Sequence, residues 1–99
     1  MFKEIEIEVT AEHIKNGRRG SCCSCPIALA IVGKIKKIEI NQVVALVTYD
    51  KVRVFANYPN EEAICGLPYE CGRFIRFFDS QLTVHPFKFK LFVPENLIA

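Results

Sequence analysis

The chain has 99 residues, of which 51% are hydrophobic and 11% aromatic. One domain, residues 1–99, is expected at this length, with apolar material for a core and a composition that excludes intrinsic disorder. Thirteen basic residues face eleven acidic ones, split as seven against six in residues 1–50 and six against five in residues 51–99. Neither half is a polycation, so charge makes no case for nucleic acid as a partner.

The first segment, Glu4 to Val9, alternates. Ile5, Ile7 and Val9 point one way and Glu4, Glu6 and Glu8 the other, which predicts a strand with one buried and one wet face. Charge interleaved this way leaves no apolar core for a secretory leader. Thr10 is placed to cap a short helical turn over Ala11 to Asn16, with Gly17 ending it in a left-handed conformation.

Arg18-Arg19-Gly20-Ser21-Cys22-Cys23-Ser24-Cys25 reads as a loop, and Pro26 suits the first turn of a helix. That helix, Ile27 to Val32, is apolar all round and is expected to be deeply buried, with Gly33 stopping it. Pro26 to Val32 is also the longest apolar run, far short of the roughly 20 residues of a membrane span, so no membrane is expected.

Ile35 to Ile40, Val43 to Tyr49 and Val52 to Ala56 read as a three-stranded meander turning at Asn41-Gln42 and Asp50-Lys51. Asn57 to Leu67 reads as a polar connection. Pro68 then opens a second main helix ending near Ser80, with Cys71, Phe74, Ile75 and Phe78 as its apolar stripe. The last strand carries Phe87, Phe89, Leu91 and Val93 on one face and Lys88 and Lys90 on the other.

Glutamates on the first strand and lysines on the last favour pairing of the two. The predicted fold is therefore α+β: an antiparallel-rich sheet in the order β-α-β-β-β-α-β, first and last strands adjacent, two main helices packed on it.

A resemblance can be drawn from particular residues. Thr10-Ala11-Glu12-His13-Ile14-Lys15-Asn16-Gly17-Arg18-Arg19, then Cys22-x-x-Cys25-Pro26-Ile27-Ala28-Leu29-Ala30, Phe74-Ile75-Arg76-x-Phe78-Asp79 and Val84-x-Pro86-Phe87-x-Phe89-x-Leu91 resemble a family of small bacteriophage and prophage proteins. Cys23, Cys65 and Cys71 stand outside the family pattern. The family carries no known activity. The resemblance implies a viral source, a host cytoplasm as compartment, and the role such small proteins often have, an accessory factor acting on host proteins or signals.

The residues themselves offer three chemistries. Arg18, Arg19, Gly20, Ser21 and Ser24 stand just before the buried helix, where free amides and the helix dipole would favour an anion. Arginine forks and close-approaching glycine backbone suit a nucleotide-like small molecule or an acidic surface of a host protein. The phosphate-loop spacing Gly-x-x-x-x-Gly-Lys-Ser/Thr is absent. The alternative is a zinc module acting as a nucleic-acid or protein adaptor, built from Cys22 and Cys25 with Cys65 and Cys71, and with His13 and Cys23 in reserve; no second Cys-x-x-Cys completes it. Third, Cys25 at a helix N-terminus should have a lowered pKa, as a thiol-disulfide enzyme requires.

The bland readings are weighed beside these. The basic loop is also what a solvated surface turn looks like. His13 and His85 lack a nucleophile partner and read as structural. Glu4, Glu6 and Glu8 read as a solvated face, not as general acids. Phe77 and Phe92 fall out of phase with the core and either cover a small second cluster or form a patch for a partner or homodimer. Tyr58 and Tyr69 could border a pocket, and Arg73, Phe77 and Arg76 give a weak version of a basic-aromatic stacking surface. The reading adopted is a non-enzymatic binding protein without catalytic residues, bound metal or cofactor.

Overall fold

The structure, a computed structural model, describes residues 2–36, 43–56 and 61–95. The elements are β1 (Phe2–Val9), α1 (Ala11–Asn16), α2 (Pro26–Lys36), β2 (Val43–Val47), β3 (Lys51–Ala56), β4 (Glu61–Gly66), α3 (Tyr69–Asp79) and β5 (Phe87–Pro94). The class is α+β in the predicted order. All pairings are antiparallel, and the strands divide into two sheets, β1-β5 and β2-β3-β4.

β1 and β5 pair along their full length, from Phe2 opposite Pro94 to Val9 opposite Phe87. Register puts Glu6 across from Lys90 and Glu8 across from Lys88. The ion pairs are nevertheless diagonal: Lys90 Nζ lies 3.3 Å from Glu4 and Lys88 Nζ 3.9 Å from Glu6. Such exposed pairs contribute at most about 1 kcal/mol each. The larger stabilisation comes from the other face, where Ile7, Val9, Leu91 and Val93 are completely buried.

Thr10 caps α1 as expected, within a reciprocal box. The His13 N–H donates to Thr10 Oγ1 at 3.3 Å, and the Thr10 N–H donates to His13 Nδ1 at 3.0 Å. Gly17, however, is extended (φ −72°, ψ 153°) and not left-handed. Its glycine is needed for space instead, since a Cβ there would sit 2.5 Å from the Pro26 ring.

α2 does not stop at Gly33. Ile27, Ile31 and Ile35 recur every four residues, and all three are fully buried. Continuing the helix buries Ile35, worth roughly 1.5–3 kcal/mol, against a cost of about 1 kcal/mol for a helical glycine. Ile35 and Lys36 therefore belong to α2, not to a strand; the rest of that predicted strand, 37–40, and the Asn41-Gln42 turn lie outside the described residues.

The meander is β2-β3-β4, one element later than predicted. β2 ends at Val47 because Thr48 builds the turn: its N–H donates to the Lys51 carbonyl at 2.9 Å and its hydroxyl to the Asp50 carboxylate at 3.3 Å. The predicted polar connection contains β4, which pairs Ala63 with Val54 and Cys65 with Val52.

α3 buries the predicted stripe of Cys71, Phe74, Ile75 and Phe78, and Gly72 with it. A Cβ at Gly72 would lie 2.6 Å from the Tyr49 carbonyl oxygen, so helix and β2–β3 turn touch backbone to backbone. Gln81 takes φ +63° beyond the helix. The N–H groups of Leu82 and Gln81 return to the carbonyls of Phe77 and Phe78, a Schellman ending with glutamine where glycine is usual. One core cluster draws on every element except α1, whose partly buried Ile14 packs against it.

Candidate functional site

The loop between α1 and α2 is closed on itself. The Arg18 N–H donates to the Ser24 carbonyl at 2.8 Å, and the Ser24 N–H donates to Ser21 Oγ at 3.0 Å. Gly20 has φ +69°, the one described glycine in the left-handed region. The Cys22 carbonyl accepts the Val47 N–H at 2.7 Å and ties the loop to the end of β2.

The five predicted site residues thus share one tight turn, but they face different ways. Arg19 is directed to the C-terminus of α3. Its Nε donates to the Phe78 carbonyl at 3.0 Å, and its guanidinium lies 5.2 Å from the Phe78 ring centre. A cation there complements the negative end of the helix dipole. The neighbouring Gly20 N–H donates to Asp79 Oδ1 at 2.9 Å. Arg18 is exposed, and Ser21 and Ser24 are half-buried.

The leading amides of α2 are engaged internally. Pro26 has no N–H, and the Ala28 N–H donates to the buried Cys25 Sγ at 3.4 Å. These amides favour the thiolate, yet burial dominates and pushes the Cys25 thiol up. The expectation of a lowered pKa at Cys25 is thereby corrected: loss of hydration outweighs the helix terminus. Burial also pushes up Cys65, and it takes Cys71, with help from Glu70, up to about 12. Cys22 and Cys23 are exposed, while Cys25, Cys65 and Cys71 are buried. Among the described residues no three His, Cys, Asp or Glu side chains converge as metal ligands.

Next to the loop a cleft of about 470 Å³ runs between Gly20, Ser21 and Cys22 on one side and Thr48, Tyr49 and Ile75 on the other. Tyr49 is also a wall of a second cleft, about 310 Å³, against the exposed side of α3 at Tyr69, Arg73, Arg76 and Phe77. Arg73 and Phe77 in turn border a groove of about 330 Å³ that Phe74, Val84 and Phe87 also line. The three concavities are thus linked by shared residues, the first to the second by Tyr49 and the second to the third by Arg73 and Phe77.

The side of α3 between them is built by helical spacing. Tyr69, Arg73 and Phe77 follow one another every four residues, with Arg76 beside them. The Arg73 guanidinium lies 5.4 Å from the Phe77 ring centre and that of Arg76 5.5 Å from the Tyr49 ring centre. Among the described residues neither arginine forms an ion pair. Tyr69 is 78% exposed, Tyr49 51% and Phe77 38%. The sequence marks Arg73, Phe77 and Arg76 as a weak stacking surface and Tyr69 as a pocket border. Tyr49 was missed because the sequence reading placed it at the end of a strand; the turn signal in Thr48 and Asp50 could have released it.

Phe92 is 56% exposed on the outer face of β5. Tyr58 lies outside the described residues. No described helix is long and apolar enough to cross a membrane. No family model, no curated protein and no solved structure matches this chain.

Proposed function

We propose that the chain is a non-enzymatic accessory protein that binds an acidic surface of a partner protein. The supporting observation is the pair of arginines on α3, each held over an aromatic ring and neither neutralised by an acid among the described residues. A guanidinium resting on a ring loses less side-chain freedom on binding, and tyrosine with arginine is the composition of interface hot spots. The likeness to phage proteins makes the partner a host protein in the bacterial cytoplasm. Gly20 and Ser21 line the cleft that also holds Tyr49, Arg18 adds an exposed cation and Ser24 a half-buried hydroxyl on the same loop, and Arg19 holds that loop to α3. The arginine-bearing, ring-lined side of α3 favours a protein carboxylate cluster over a free nucleotide, which needs converging amides.

Fluorescence anisotropy with a labelled hexaglutamate peptide, and with a labelled adenosine nucleotide as competitor class, tests this reading. Salt-sensitive binding of the peptide, weakened at least tenfold in the Arg73→Glu, Arg76→Glu double variant, is expected. Nucleotide binding lost in Arg18→Glu, with the peptide ignored, would overturn it.

A further inference from the structure

We infer that the acidic partner segment also carries an apolar anchor, an aromatic or branched aliphatic side chain, and that the anchor seats in the groove between α3 and the stretch entering β5. This rests on the acidic-partner reading above and adds what that partner must contain.

The groove is lined by Phe74, Phe77, Val84 and Phe87, together with Glu70, Arg73, Thr83 and His85. Its rings are packed together: Phe74 lies 5.0 Å from Phe87, and the buried Phe89 backs Phe87 at 5.7 Å. Phe77 forms one wall although it falls outside the buried stripe of α3, and Val84 closes the other side. At about 330 Å³ it lies at the low end of the roughly 300–1,000 Å³ range of ligand pockets. That is room for one or two side chains, not for a large cofactor.

Charge decides among occupants. The Arg73 guanidinium caps the Phe77 wall, so a carboxylate a residue or two from the anchor meets it directly. The acid at this rim, Glu70, is not within ion-pair distance of Arg73. In a two-fold dimer the same patch faces itself, so a second copy would bring a second Arg73 and Arg76 into the same interface. A linear segment combining carboxylates with one apolar side chain satisfies both the cationic ridge and the groove. Burying such an anchor should improve affinity tenfold or more, because a large apolar side chain leaves water.

Two labelled, acetylated octapeptides test this: glutamates with a central phenylalanine, and the same peptide with serine in its place. The phenylalanine peptide is expected to bind at least tenfold tighter, and the difference should vanish in Phe77→Ser protein. Amide NMR shifts on the unaltered protein provide a second measurement independent of that variant's folding. Shifts at Thr83, Val84 and Phe87 are expected with the phenylalanine peptide alone. Equal binding of both peptides, still dependent on Arg73 and Arg76, overturns the anchor and leaves the acidic-partner reading standing. Binding of neither peptide removes both. Sedimentation that shows self-association abolished by Phe77→Ser overturns the anchor in favour of a second copy.

Discussion

Arg18 and Arg19 are adjacent in sequence and diverge in structure. Arg19 gives α3 a charged hydrogen bond at its last turn and covers the Phe78 ring; Arg18 stays in solvent. Arg19→Ala should therefore lower stability by about 1 kcal/mol in urea unfolding, the exposed-side share of a charged hydrogen bond, while Arg18→Ala should leave the midpoint unchanged. The thiols give a second residue-scale prediction. Cys71 is held protonated up to about 12 in the folded chain, against an ordinary value near 9.0, and Cys25 and Cys65 shift the same way. Between those limits the unfolded chain releases protons that the folded chain keeps. Stability is thus fully present below about pH 9 and falls as pH rises toward 12. Urea midpoints measured from pH 7 to 10.5 should decline at the alkaline end, and less steeply in Cys71→Ala. The same burial should keep these three thiols unreactive toward an alkylating reagent at neutral pH, with Cys22 and Cys23 modified first.

Two glycines separate local rules from packing at the scale of elements. Gly33 sits inside α2 with nothing within 4 Å of where its Cβ would be. Gly33→Ala should stabilise by roughly 0.5–1 kcal/mol. Gly72→Ala, driven against the Tyr49 carbonyl at 2.6 Å, should cost about 1–3 kcal/mol. Thermal unfolding of the two variants should move in opposite directions. The same contrast explains what the sequence could and could not reveal. β1, β5 and the buried face of α3 were readable because period two and the i, i+3, i+4, i+7 stripe are each complete in their own residues. The end of α2 was not, because a glycine is a local stop signal that the burial of Ile35 overrides. β4 was hidden by Pro59, Asn60 and paired glutamates, its described inward residues being Ala63 and Cys65, whose strand preference comes from Val54 and Val52 across the ladder. At the candidate site the loop composition was visible, but not its docking on Phe78 and Asp79, contacts that join residues 59 apart in the chain.

On the scale of the whole molecule, the β2-β3-β4 meander is stitched from neighbours, whereas the β1-β5 ribbon unites opposite ends of the described chain, Phe2 with Pro94. Closing a loop that long costs chain entropy before any contact returns it. The meander and the helices flanking it are thus the natural nucleus, and zipping of the ribbon is a late event. Ile7→Val should accelerate unfolding and leave the refolding rate almost untouched, while Val54→Ala should slow refolding, in stopped-flow chevrons. The ribbon then acts as a clasp whose release frees Phe87 from its place beside α3, so the lifetime of the peptide groove is set by a strand pair that meets the peptide only at its first residue.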